Sequence, residues 1–115
     1  NKNNLSPEAP GMLKRHYAPK TKIVFSNDFI KSIKSYPNKK IGILCLKKIK
    51  KIPKSVHQEV LSSDGNLNEA AKNLYSALHK LDRLNLDLIF TSNVPEYELG
   101  RSINDRLRRA VEVEN

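Results

Sequence analysis

The densest group of side chains able to do chemistry in this 115-residue chain is Arg15-His16-Tyr17: a guanidinium, an imidazole and a phenol in succession. They lie in the segment Ala9 to Lys20, between Pro10-Gly11-Met12 and Pro19. Proline fixes its own φ and pushes the residue before it to extended geometry. Pro10-Gly11 therefore reads as a turn and His16 to Pro19 as an extended run. Two readings stand: a stiff linker, or a linker that sets Arg15, His16 and Tyr17 against another surface. Local physics alone favours the first.

Other chemistries lack their parts. His16, His57 and His79 are scattered along the chain, whereas a metal site needs clustered ligands. Cys45 lies inside the apolar run Ile41 to Leu46 and reads as a small buried hydrophobe, because a reactive thiol needs an exposed, electropositive setting. A dinucleotide site needs Gly-x-Gly-x-x-Gly between strand and helix, and the corresponding turn here is Ser26-Asn27-Asp28. No Gly-Lys-Ser/Thr loop occurs. The chain therefore holds no self-sufficient active site, no catalytic residue of its own and no metal site.

The elements follow from periodicity. Residues 1–8 are polar and aperiodic, an extended lead-in. Thr21 to Ser26 is a short β-rich run, and Ser26, Asn27 and Asp28 supply N-cap candidates for a helix over Asp28 to Ser35, with Phe29, Ile30 and Ile33 as its apolar face. Ile41 to Leu46 is apolar throughout, the pattern of a strand buried on both faces of a parallel sheet. Gly42 within it permits a close approach. Lys47 to Ser55, with Pro53, is a loop. Val56 to Leu61 is a further strand towards the sheet edge, with His57 partly exposed.

Ser62 to Asn66 is a turn and helix-start signal. Leu67 to Leu84 carries Leu67, Ala70, Ala71, Leu74, Ala77, Leu78 and Leu81 at helical spacing, with His79 on the polar side. Leu86 to Thr91 is the next strand, Ser92 to Glu98 a loop, and Leu99 to Ala110 a last helix with Leu99, Ile103, Leu107 and Ala110 or Val111 as its stripe. Strands alternating with helices predict an α/β, Rossmann-like three-layer domain with a largely parallel sheet over residues 21–115, preceded by an extended linker over 1–20.

Length and charge add bounds. The chain suffices for one domain with a modest core, and with Met12 as its only methionine it reads as an excised piece. A lone cysteine permits no internal disulfide and suits a cytoplasmic protein. No apolar stretch approaches the roughly 20 residues that span a bilayer, so no membrane partner is expected. The net charge of +9 resides in the middle: residues 29–54 hold nine lysines and no acid, while residues 55–115 carry a net −3. Such a block attracts RNA by counterion release. It lacks arginine, and Tyr36 is its one stacking aromatic beyond Phe29, so a solvated face is the simpler reading.

Three stretches resemble one family. Pro10, Gly11, Met12, His16, Tyr17 and Pro19 fit the interdomain linker pattern Ser-Pro-Gly-Met-x-x-x-His-Tyr-x-Pro of the two-domain threonylcarbamoyl-AMP synthases, with Ala9 in place of serine. Glu69 to Asp82 resembles that family's Ala-x-x-Leu-Tyr-x-x-Leu-x-x-Leu-Asp helix. Leu99 to Ala110 resembles its closing Gly-x-Ala-Ile-Met-x-Arg-Leu-x-Lys-Ala, with Ser102 and Asn104 replacing alanine and methionine and a more polar contact expected there.

The resemblance implies the linker and C-terminal accessory domain of such an enzyme. Its partner in cis would be an N-terminal YrdC-like domain that joins threonine, bicarbonate and ATP, as the magnesium complex, into threonylcarbamoyl-AMP and pyrophosphate for tRNA modification. The chain alone would hold no cofactor and no activity. The resemblance implies that the linker lies over that domain's ATP pocket as a lid. Tyr17 would meet the nucleotide, His16 would donate a hydrogen bond or order the linker, Arg15 would face phosphate, and Pro10 and Gly11 would shape the turn. The alternative is a stand-alone RNA-binding module using residues 31–54, contacting tRNA through its lysines.

Overall fold

Four strands, each of four or five residues, form one sheet in the order β1-β4-β2-β3, with every neighbouring pair parallel. The computed structural model describes residues 19–112. Along the chain the order is β1 (Lys22–Phe25), α1 (Phe29–Lys34), β2 (Ile41–Cys45), β3 (His57–Val60), α2 (Leu67–Asp82), β4 (Leu88–Thr91) and α3 (Gly100–Glu112). The α/β, largely parallel architecture expected from the sequence is therefore present. Each element falls within about two residues of its expected limits, the usual uncertainty of element ends.

Parallel strands expose both faces to cover, and alternation divides their side chains. Ile23, Ile89 and Leu44 point to one face, where they join Leu61 and the stripes of α2 (Leu67, Ala70, Leu74, Ala77, Leu78, Leu81) and α3 (Ile103, Leu107, Ala110) in the main core. Ile43 and Phe90, one residue out of phase, point to the other face. That face is covered by α1 and the turn after it, where the Tyr36 ring lies 5.9 Å from Phe90. α1 buries none of its residues completely, so this layer is the thinner of the two. All five residues of β2 are buried, as its unbroken apolar run requires.

Local signals set the helix starts. Of the three N-cap candidates before α1, Asp28 serves: its carboxylate accepts the Lys31 N–H at 3.1 Å. Asn66 does the same for α2, accepting the Glu69 N–H at 2.9 Å. The β2–β3 connection has no helix. Gln58, on β3, holds it instead by pairing with both the N–H (2.7 Å) and the C=O (3.2 Å) of Ile49. β3 lies at the sheet edge, as expected, and its His57 is exposed and paired with Glu59 at 2.5 Å.

Candidate functional site at the linker junction

The residues singled out by sequence, Pro10, Gly11, Arg15, His16 and Tyr17, all lie outside the described residues. Described structure begins at Pro19, where the chain leads into β1. The backbone at residues 19–21, just before β1, is the described part of the chain nearest to those five residues.

The central group there is Asp82, the last residue of α2. The carboxylate Oδ1 accepts the Thr21 N–H at 2.9 Å and Oδ2 accepts the Lys20 N–H at 3.2 Å. One side chain thus grips two successive backbone groups from the far end of the sequence. Hydrogen bonds to an ionised acceptor are about twice as strong as neutral ones. Beside it, Lys20 Nζ donates to Asn85 Oδ1 at 3.0 Å, and Asn85 sits in the left-handed region with φ of 55° in the turn leaving α2. Thr21 is buried and Asp82 half-buried, so the grip is partly shielded from water. α2 is fixed in turn by its buried stripe, and Leu81, next to Asp82, is fully buried. The chain therefore enters β1, at the amino-terminal end of the sheet, from a pinned point.

Sequence reasoning placed Leu81-Asp82 in a family-like helix but gave Asp82 no role. Its partners lie more than 60 positions away, and no local pattern signals them. The available hint was an acid at a helix C-terminus, where the helix dipole disfavours it; such a residue needs another reason to be there.

The remaining candidates stay apart. Cys45 is buried, its thiol facing Gln58 Oε1 at 3.3 Å, and burial, with the Glu59 carboxylate adding to it, pushes its pKa from 9.0 up to about 11. A thiol held protonated is no nucleophile. His57 is on the edge strand and His79 on the exposed side of α2. Among the described residues no three His, Cys, Asp or Glu side chains come together as metal ligands, and no helix is long and apolar enough to cross a membrane. The nine lysines of residues 29–54 are all exposed, and none is ion-paired with a described residue.

Comparison with known proteins agrees with this architecture. Residues 1–111 match the family described as "Threonylcarbamoyl-AMP synthase, C-terminal domain". The chain is 32% identical over 112 residues to a threonylcarbamoyl-AMP synthase of Pyrococcus abyssi, covering 90% of this chain and 32% of that protein. It is 29% identical over 122 residues to one of Schizosaccharomyces pombe, covering 93% and 30%. It thus spans about a third of the length of these relatives. Among solved structures, that of P. abyssi Sua5 complexed with L-threonine superposes with a TM-score of 0.60 at 25% identity, over 82% of this chain and 29% of that one. A match over nearly the whole chain, on a fold with the expected parallel sheet, settles the family: this chain belongs to the threonylcarbamoyl-AMP synthase C-terminal domain family.

Proposed function

We propose that this chain is the accessory domain of a threonylcarbamoyl-AMP synthase, residues 21–115, together with the linker, residues 1–20, that closes over the ATP pocket of an N-terminal catalytic domain in cis. The observation that carries this reading is the Asp82 grip on the Lys20 and Thr21 backbone. A lid works only if its far end is held, because closure must position side chains within an ångström or so and exclude water from a hydrolysable intermediate. Tyr17 would lie over the nucleotide, His16 would order the strap and Arg15 would face phosphate. Pro10 and Gly11 would turn the chain towards the catalytic domain. ATP, as its magnesium complex, is then a substrate of the whole enzyme.

Asp82→Ala in a chain that includes the preceding domain tests the grip. Loss of two charge-assisted hydrogen bonds should cost the accessory domain about 1–3 kcal/mol by thermal melting and lower kcat/KM for ATP. Asp82→Asn retains Oδ1 as an acceptor and should fall between. A destabilised domain with unchanged kcat/KM for ATP would detach the grip from the reaction.

The nine exposed, unpaired lysines favour a second reading, in which this face contacts tRNA. Titration with tRNA at two salt concentrations distinguishes it. A steep salt dependence confined to this domain supports contact; weak binding that lysine-to-glutamine changes leave unaltered rejects it.

A further inference from the structure

At the carboxyl end of the sheet, β1 and β4 lie side by side, and the chain leaves them in opposite directions. After β1 it runs to α1, on the face of Phe90; after β4 it runs to α3, on the face of Ile89. Divergence from adjacent parallel strands opens a crevice, and in open α/β sheets this is where ligands bind. The crevice is present here, with a volume of about 280 Å³, bordered by Phe25, Ser26, Asn27, Phe29, Ser92 and Asn93. It is close to the lower size limit of small-molecule sites, roughly 300 Å³.

Its walls are held from behind. Ser26 Oγ accepts the Asp28 N–H at 3.2 Å and bonds Ser32 Oγ of α1 at 2.7 Å, fixing the β1 rim. On the β4 rim, the residue after Asn93 is clamped by buried Asn104, which accepts the Val94 N–H at 2.7 Å and donates to its C=O at 2.8 Å. The side chains that face the crevice are not used in this way. The carboxamides of Asn27 and Asn93 and the hydroxyl of Ser92 make no hydrogen bond to another described residue. Phe25 remains 36% exposed at the carboxyl end of β1.

The chemistry of the lining selects a ligand. It contains no charged side chain and no glycine turn that could bring backbone N–H groups around a phosphate. Two phenyl rings offer apolar faces for stacking. Two carboxamides each present a donor and an acceptor in one plane, the pairing that matches the edge of a nucleobase. We infer that the crevice between β1 and β4 is a binding site for a planar, uncharged nitrogen heterocycle of the nucleobase type, bound through Phe25, Phe29, Asn27 and Asn93 without recognition of a phosphate.

The test is a titration of the isotope-labelled 115-residue chain, followed by NMR, with adenosine, cytidine, inorganic phosphate and glucose added separately. At least one nucleoside should move the carboxamide signals of Asn27 and Asn93 saturably, with a Kd of about 1 mM or tighter. Phosphate and glucose should leave them in place. Asn27→Ala and Asn93→Ala, both at exposed positions, should retain the fold and weaken the nucleoside by about fivefold or more. Absence of saturable shifts with either nucleoside would overturn the assignment. So would equal shifts with glucose, which would mean a sugar-type site, or nucleoside binding that neither substitution weakens.

Discussion

Asn104 is a polar side chain, 4% exposed, inside the apolar stripe of α3. Burial without partners would cost about 1–3 kcal/mol; instead it satisfies both backbone groups of Val94 and donates to Glu96 Oε2 at 2.6 Å. The sequence showed that a polar contact was expected at Asn104, where the family pattern has methionine, but not with what, because Val94 is placed there only by the packed loop. Asn104→Met restores the family's residue while leaving the Val94 N–H and C=O unpaired. It should cost about 1–3 kcal/mol in denaturant unfolding; a neutral result would mean that the loop finds other partners. Cys45 was legible from its apolar run alone. Its folded pKa of about 11 lies above the unfolded value near 9.0, so the unfolded chain loses its proton first as pH rises. Stability should therefore fall between these two values and be flat below them, and Cys45→Ala should remove that slope. In the native chain at neutral pH the thiol should resist alkylation until unfolding exposes it.

At the scale of elements, strands and helices follow the sequence closely because each is specified by its own periodicity. Leu67 to Leu81 announces α2 with a complete apolar stripe, and Ile41 to Cys45 announces a doubly covered strand. What does not follow is the pairing order. β1 lies beside β4 rather than β2 because their long-range register is set by packing between residues more than 60 positions apart. Gly42, within β2, and Gly100, at the start of α3, show how tightly this packing is set. A Cβ on Gly42 would come within 2.5 Å of Leu86 Cδ1 and 3.0 Å of Leu81 Cδ2, both ends of side chains that can turn aside. A Cβ on Gly100 would overlap the Pro95 carbonyl oxygen, backbone that cannot yield without moving the β4–α3 loop. Gly42→Ala should therefore cost about 1–3 kcal/mol, as overpacking usually does, and Gly100→Ala distinctly more. Equal melting temperatures for the two variants would contradict this ranking.

At the scale of the whole molecule, the two ends of the sheet are built differently. At the amino-terminal end the chain enters β1 with its Lys20 and Thr21 backbone pinned by Asp82, and the carboxyl end opens into the crevice between β1 and β4. The positive charge of residues 29–54 is borne by α1 and by the loops flanking β2, all of it exposed. Under the function proposed above, this domain would serve as a rigid mount for the segment that precedes β1. That mount was invisible in the sequence, since its two halves are Asp82 and a pair of backbone N–H groups. The linker motif was visible, because Pro-Gly-Met and His-Tyr-x-Pro hold a fixed spacing. The most direct test of the lid is steady-state kinetics of pyrophosphate release by Tyr17→Ala in a chain that includes the preceding domain. A residue that covers the bound nucleotide should, when truncated, lower kcat/KM for ATP by about tenfold or more, about 1.4 kcal/mol, without altering the melting temperature of the accessory domain. Unchanged kcat/KM for ATP would contradict the lid.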